Sequence, residues 1–488
     1  MEVCIIGGGI SSISAAKVCK DNGLVPFILD KSSAPGGIWK GHEGELGVWP
    51  SLRLLTQKHL TSFSDHLWNL DDPDRSSPAD LINYLNEYIR KHDLSQYFHH
   101  CCQVTHLERS GEDYKVTWIH NGETNEKVFR YVIIATGRFS RIINPFQNPE
   151  KFQGQIYHGI NYRDSNVFRD KKVVIIGISL TATELAVDAV NIAQSVTQVF
   201  RRPYICMKRL AQGVPVDMIM FRSSILNNPS PPLNTLQSNA IFSQTLLKIV
   251  GNPGIFHPEW QIDESIIGKE MINIRVADDK YYEAVTERKI TQIKGQAVDV
   301  YEHGVVLSDG RQVEADVIAL GTGFQPDYSF LSDEIKSIIQ YDPDDRLTAT
   351  IMCRSIFHPD LPRLCFVGNF ASPAPGHIEL QAEIGVKFML GTLEVSNEEI
   401  WNCVREEEYG RTNLQGAMTL YSFKDYLVDN IRMLKLDINL ERIENELGLK
   451  DPPLVPYLFY MDRPGQMEIC RAWAEDLKVK YPMFRKNN

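Results

Sequence analysis

The feature that most constrains this chain is a triple-glycine turn between a short apolar strand and a helix of small residues. Val3-Cys4-Ile5-Ile6 is a continuous apolar run, the pattern of a parallel strand buried on both faces. Gly7-Gly8-Gly9 breaks it, a helix rich in Ala and Ser is predicted over 11–19, and Gly23 ends it. Residues 26–30 then read as the next strand, closing on Asp30. The turn fits G-x-G-x-x-G with Ser12 in the last place. Gly7 serves the tight turn, Gly9 lets backbone approach a diphosphate, and the small Ser12 lets helix meet strand. At Ser11 the helix N-terminus offers N–H donors and partial positive charge. Asp30 falls 21 residues after Gly9, where a carboxylate binds a ribose diol.

The same grammar returns about 170 residues later: strand 173–176, Gly177, a helix over 181–191, and strand 197–200. Gly177-Ile178-Ser179-Leu180-Thr181-Ala182 keeps the first glycine but carries Ser179 in place of the second. Its side chain narrows the approach to a phosphate, although the hydroxyl can itself donate a hydrogen bond. Arg201-Arg202 closes the strand where the first site has an acid. Guanidinium there suits a 2′-phosphate and selects NADP over NAD. The alternative is an α/β unit kept for packing, with two surface arginines. Acid in the first site fits FAD and arginine in the second fits NADPH, so electrons are expected to pass between a resident and a visiting cofactor.

Each unit is followed by a β-rich stretch that closes on Thr-Gly. The first runs through 114–118, the turn Asn121-Gly122, strand 131–135 and Thr136-Gly137. The second runs through 289–301, the turn Ser308-Asp309-Gly310, strand 317–320 and Thr322-Gly323. The fold class is therefore α/β: two Rossmann-like dinucleotide-binding domains, the second inserted in the first, with β-meander crossovers and a helical C-terminal region. The expected divisions are 1–165 (FAD, first part), 166–315 (NADPH, with a less regular insertion at about 212–280) and 316–488 (FAD, second part, plus C-terminal helices). Prolines and asparagines over 227–232 exclude helix and central strand. Helices are predicted over 241–250, 397–407, 423–435 and 466–477. The aromatics Phe242, Phe256, Trp260, Tyr281 and Tyr282 are expected as core, with an apolar cavity lining as the alternative.

Composition narrows the function classes. Of 488 residues, 51 are Lys or Arg and 62 Asp or Glu, a net charge of −11. Such a surface repels phosphate backbones, so no nucleic-acid partner is expected. Nine cysteines without a CxxC pair argue against a disulfide scaffold, a zinc site and a thioredoxin-type dithiol. No triad and no metal-ligand cluster stands out, so no metal is expected. The run 1–6 has no basic n-region or cleavage site, and no stretch of about 18 apolar residues occurs. No transmembrane segment and a cytoplasmic location are the expectation; a homodimer stays open.

Lys31 follows Asp30, and Gly36-Gly37-Ile38-Trp39 comes next. Further on, Phe152, Gly154, His158 and Tyr162 fit F-x-G-x-x-x-H-x-x-x-[FY]. Both segments resemble the flavin-containing monooxygenase family, the first its GG-[LIT]-W segment beside the flavin, the second its identifying sequence. The two Thr-Gly strand ends, residues 323–331, 364–368 and 379–382 are similar as well, so the resemblance spans the chain to about residue 390. It implies a flavin reduced by NADPH, which reacts with dioxygen to a hydroperoxide guarded by NADP⁺. One oxygen then passes to a soft nitrogen or sulfur of a small amine or thioether. The implied cofactor contacts are the two turns, Asp30, Lys31, Gly37, Ile38, Trp39, Arg201, Arg202, Thr136, Gly137, Thr322, Gly323 and Gln381. General acid–base residues are not central to such chemistry, so His158 reads as a structural tie across the interdomain crossing.

Residues 51–58, Ser-Leu-Arg-Leu-Leu-Thr-Gln-Lys, stand at the family's S-L-x-T-N-T-x-K, and Leu55 stands where Asn is expected. Either Thr56 or Gln57 takes over its hydrogen bonding, or the oxygenating intermediate is shorter-lived and an uncoupled NADPH oxidase results. Baeyer–Villiger enzymes resemble F-x-G-x-x-x-H-x-x-x-W-[PD], which Tyr162-Arg163 fits less well. A nucleotide-binding protein without turnover is the alternative of another class. Pyridine-nucleotide disulfide reductases are excluded by the lack of a dithiol. The polar stretch 481–488 differs from the apolar tail of the family's membrane-bound members.

Overall fold

Two five-stranded parallel sheets carry the chain, each built around one glycine turn. The computed structural model describes residues 1–43, 47–227, 235–370, 375–413 and 423–486. In the first sheet the strands lie in the order Leu364–Phe366, Tyr131–Ile134, Glu2–Ile6, Val25–Leu29 and Phe98–His99. In the second the order is Ile290–Lys294, Ser195–Phe200, Lys172–Ile176, Val317–Leu320 and Gln155–His158. The strand leading into the turn is central in both, between its βαβ partner and the strand that closes on Thr-Gly. Continuous apolar runs suit these places because both faces are covered. Val3, Cys4, Ile5, Val173, Val174 and Ile175 are all buried.

The outermost place beyond the Thr-Gly strand is filled differently in the two sheets. A late strand, Leu364–Phe366, fills it in the first; an early one, Gln155–His158, fills it in the second. Both Gln155–His158 and Val317–Leu320 therefore lie in the second sheet, although boundaries at 165 and 315 put them in the flanking parts. An apolar run identifies a buried strand but not the sheet edge it joins.

Register brings the chemistry together. Ile6 pairs with Leu29 on one side and with Ile134 on the other. Gly7, Asp30 and Ala135 thus leave the sheet side by side, at the carboxyl ends of the strands where such folds bind ligands. The helix Ile10–Asp21 is buried along most of its length. Helix Pro375–Leu390 lies against it, and Ala15 and Ala16 belong to the core the two helices share. The C-terminal helices Asn397–Asn413, Phe423–Met433, Leu440–Leu447 and Gln466–Lys480 add Val404, Leu427, Leu447 and Trp473 to the same core.

Asn121 and Gly122 take positive φ of 52° and 81°, which suits the twist of the hairpin between Asp113–His120 and Glu123–Phe129. Just before the insertion Ile205–Lys208 pairs in parallel with Ile274–Ala277, and within it a helix spans Leu236–Val250. Asn227 ends a 3-10 turn, Ser223–Asn227, and residues 228–234 lie outside the described residues. Trp260, Tyr281 and Tyr282 are core: Tyr281 donates to Gln198 Oε1 at 2.6 Å, and Trp260 Nε1 to Gln292 Oε1 at 3.1 Å. Phe256 packs partly buried beside them, while Phe242 is exposed. Among the described residues no helix is long and apolar enough to cross a membrane.

Candidate cofactor and oxygenation site

Gly7 and Gly8 each have a separate steric reason to be glycine, while Gly9 leaves open space. Gly7 N–H donates to Leu29 O at 2.8 Å with φ +114°, and a Cβ there would lie 2.5 Å from Ala135 O. At Gly8 a Cβ would fall 1.9 Å from Asp30 Oδ2, a requirement the motif, which leaves this position open, does not reveal. Gly9 caps the helix Ile10–Asp21, with no side-chain cap and no acid in the first turn. Among the described residues, the heavy atom nearest a Cβ on Gly9 would be Gly37 Cα, at 3.7 Å. Gly36 N–H donates to Gly8 O at 2.9 Å and folds residues 36–39 over the turn. Ile38 and Trp39 are half-buried there and Lys31 is exposed.

Asp30 is 4% exposed; its Oδ1 accepts from Ser32 N–H at 3.2 Å, and Oδ2 lies 4.0 Å from His100 Nδ1. The hydroxyls of Ser12 and Thr136 are buried and have no hydrogen-bond partner among the described residues. Gly137, with φ +72°, turns the chain away after Thr136. Gln381 acts from below: its Oε1 accepts from Gly368 N–H at 2.7 Å and its Nε2 donates to Tyr426. Gly368 in turn sits against Ser11, whose Oγ would lie 2.0 Å from a Cβ there. An uncapped helix N-terminus, two unspent hydroxyls, a glycine cradle and a neighbouring carboxylate suit a dinucleotide's diphosphate and ribose.

At the second turn Gly177 N–H donates to Val199 O at 2.8 Å, and a Cβ there would lie 2.7 Å from Gly321 O. Ser179 caps the helix Leu180–Ala189 without a side-chain cap, because its hydroxyl donates to Gly321 O at 2.9 Å. The side chain is turned into the fold, not across the mouth of the turn. Ala182 fills the third-glycine role: a Cβ on Gly321 would sit 2.5 Å from Ala182 Cβ. Thr181 packs its methyl toward Gly159, and Leu180 is exposed. Arg201 and Arg202 are exposed at the end of the next strand. Two further cations join them. Arg275 stacks on the Tyr204 ring at 4.6 Å, and Arg346 lies against Gly323. Desolvation, then repulsion from Arg201, Arg275 and Arg138, pulls Arg346 below the usual guanidinium range. Arg275 and Arg346 carry no local signal; strand pairing of Cys206 with Arg275 brings one of them in.

The segment 152–162 joins the two sheets. A Cβ on Gly154 would lie 2.2 Å from Asp316 O, and Phe152 is buried. His158 Nδ1 accepts from Ile160 N–H at 3.3 Å, so its Nε2 carries the proton and donates to Gly323 O at 3.1 Å. Burial pulls its pKa below the usual imidazole value, which keeps it neutral. Thr322 donates to Ile143 O, so this strand end braces the crossing rather than presenting a free hydroxyl. Tyr162 donates to Asp188 at 2.9 Å, and Ser51 donates to the same oxygen at 2.7 Å.

Ser51 opens the loop that holds the three candidate catalytic positions. Leu55 is half-buried, and the hydroxyls of Thr56 and Thr61 share a hydrogen bond at 2.5 Å. Gln57 is 1% exposed. Its backbone N–H donates to Asp217 Oδ2 at 2.7 Å and its Oε1 accepts from His59 N–H at 2.7 Å. Gln57 Nε2 is buried and has no partner among the described residues. Lys58 Nζ donates to the carbonyls of Asn69, Leu70 and Asp72, which accounts for the lysine of the motif. Burial pushes Asp217 up to about 6, against the pull of the Gln57 N–H. Burial also pushes Glu379 up to about 7, helped by Asp65, although Ser64 donates to both its oxygens. Among the described residues no group of three or more His, Cys, Asp or Glu is placed to hold a metal.

A family model described as flavin-binding monooxygenase-like matches residues 1–467. The chain belongs to this family. It is an FAD- and NADPH-dependent flavin monooxygenase. Relatives include mouse dimethylaniline monooxygenase [N-oxide-forming] 2, 25% identical, covering 96% of this chain and 90% of the relative. Human flavin-containing monooxygenase 5 is 24% identical, over 99% and 93%. Among solved structures, Rhodococcus cyclohexanone monooxygenase bound to NADP⁺ superposes with a TM-score of 0.61 at 17% identity, over 89% of this chain and 96% of that one. Garlic S-allyl-L-cysteine S-oxygenase gives 0.57 at 17%, over 100% and 95%. These likenesses show the two-dinucleotide-domain fold. For this flavin monooxygenase, the unspent hydroxyls of Ser12 and Thr136 and the cradle of Gly7, Gly9 and Gly37 fit FAD at the first turn. The arginines around Tyr204 fit the extra phosphate of NADPH at the second.

Proposed function

We propose that this enzyme transfers one atom of dioxygen to a soft nitrogen or sulfur of a small amine or thioether. The observation that carries the reading is Gln57. Its Nε2 is a buried donor with no partner among the described residues, two residues from where the family pattern has asparagine. The N-oxide-forming name of a relative that matches 96% of the chain supports the same reading. Bound FAD, once reduced by NADPH, supplies the activation of dioxygen.

The chain's own residues supply binding, orientation and exclusion of water. The uncapped helix ends at Gly9 and Ser179 would hold the diphosphates. Asp30 would take a ribose, and Arg201, Arg202, Arg275 and Arg346 a 2′-phosphate. Gln57 Nε2 would donate a hydrogen bond at the oxygenation site, and Leu55 would exclude water beside it. No side chain is asked to move a proton. His158 is neutral, and both its ring nitrogens are engaged. The tyrosine at 162, bonded to Asp188, favours amines and thioethers over Baeyer–Villiger chemistry, whose pattern has tryptophan there.

The test is anaerobic mixing with NADPH, then aerobic turnover with tertiary amines, thioethers and cyclic ketones, with product masses and hydrogen peroxide measured. Flavin bleaching followed by N-oxide or S-oxide is the expected result. Lactone products, or peroxide alone, would overturn the proposal.

A further inference from the structure

Arg209 is 4% exposed, and its Nε and Nη1 have no hydrogen-bond partner among the described residues. None of the described carboxylates forms an ion pair with it. A guanidinium cannot shed its proton inside a protein. A buried charge without a counter-charge is strongly unfavourable, so such a group is expected to meet an anion that arrives with a ligand.

Its place in the fold says which ligand. Arg209 follows the strand Ile205–Lys208, and its carbonyl accepts from Val216 N–H at 2.9 Å, closing the hairpin in which Leu210 pairs with Pro215. The next residue, Asp217, takes the backbone N–H of Gln57 at 2.7 Å. Arg209 and Gln57 are thus linked through the pair Val216-Asp217, and both carry buried, unspent donors. Asp217, the acid nearest along the chain, is committed to Gln57. The nucleotide has cations of its own around Tyr204, at the end of the strand Ser195–Phe200.

We propose that Arg209 binds the carboxylate of the molecule being oxygenated, so that the substrates are amines or thioethers of the amino-acid type. The inference rests on the oxygenation reading above. A guanidinium matches a carboxylate in plane and charge, and the linked Gln57 carries the donor that the proposed function assigns to oxygenation.

The probe is S-methylcysteine against 2-(methylthio)ethylamine, which differs only in lacking the carboxylate. Binding to the oxidised holoenzyme is measured by calorimetry, and kcat/KM by S-oxide formation, in wild type, Arg209→Met and Arg209→Lys. The preference for the carboxylate should fall about 100-fold in Arg209→Met and return in part with lysine. Arg209→Met should melt no lower than wild type, since it removes an uncompensated buried charge. An equal loss with both compounds, a shift in the NADPH-to-NADH ratio instead, or a methionine variant that unfolds would each overturn the inference. Carboxylate-dependent binding without S-oxide would uphold Arg209 and remove only the oxygenation reading. S-oxide formed without preference would do the reverse.

Discussion

Ser179 stands where a dinucleotide turn ordinarily has glycine. If its side chain obstructed the diphosphate, Ser179→Gly would tighten NADPH binding. The hydroxyl instead donates to Gly321 O at 2.9 Å, inside the contact between the turn and the strand Val317–Leu320. Gly321 is buried, and a buried acceptor deprived of its donor costs about 1–3 kcal/mol. Ser179→Ala should lose that amount, and glycine up to about 1 kcal/mol more through backbone entropy. For a domain of this size each kcal/mol lowers Tm by about 2–4 °C. Ser179→Ala should therefore melt about 2–12 °C below wild type, while Ser179→Thr, which keeps the hydroxyl, should stay close to it. Thermal unfolding followed by flavin fluorescence measures the first effect. Anaerobic flavin reduction against NADPH concentration measures the second, and the apparent Kd should stay within about threefold. A glycine variant that melts like wild type and binds NADPH ten times more tightly would refute the reasoning.

Three further outcomes are expected. Gln57→Leu removes the unspent donor, so coupled oxygenation should fall by about tenfold or more while hydrogen peroxide per NADPH rises; unchanged coupling would remove Gln57 from the site. Arg346→Ala should reduce kcat/KM for NADPH by about 10- to 100-fold with little effect on NADH, and equal losses with both would contradict a 2′-phosphate contact. Glu379 is held near 7 by burial, above its ordinary 4.5. The native state therefore keeps a proton that the unfolded chain has released. Its contribution is complete below about pH 4.5 and is lost as pH rises through 7, about 3 kcal/mol in all. Glu379→Gln should flatten the fall of Tm between pH 5 and 8, and an unaltered slope would show that the carboxylate is not buried as described.

Local chemistry made much of this protein legible in one dimension. Apolar runs, glycine spacing and Asp30 lie within about 30 residues of each other, so short-range sterics alone identify a dinucleotide turn. Its recurrence 170 residues on, with Arg201 in place of the acid, predicts two cofactors of different kind. The residues 152–162 resemble one family strongly enough to suggest the reaction. They do not say that Gln155–His158 would complete the second sheet, because a buried strand looks the same at either edge.

Sequence leaves the choice among Leu55, Thr56 and Gln57 open; what folding adds is that the Thr56 hydroxyl is shared with Thr61 and that Gln57 Nε2 has no partner among the described residues. Gly8 looks incidental until Asp30 is seen 1.9 Å from where its Cβ would be. Arg275 and Arg346 join Arg201 from distant stretches of chain, and Arg209 stands out because its Nε and Nη1 have no partner among the described residues. Sequence by itself determined which backbone turns form and which cofactors they suit, since those depend on neighbours along the chain. Only the tertiary structure decided which polar groups are spent and which are left for a ligand, since burial and pairing are properties of segments brought together by folding.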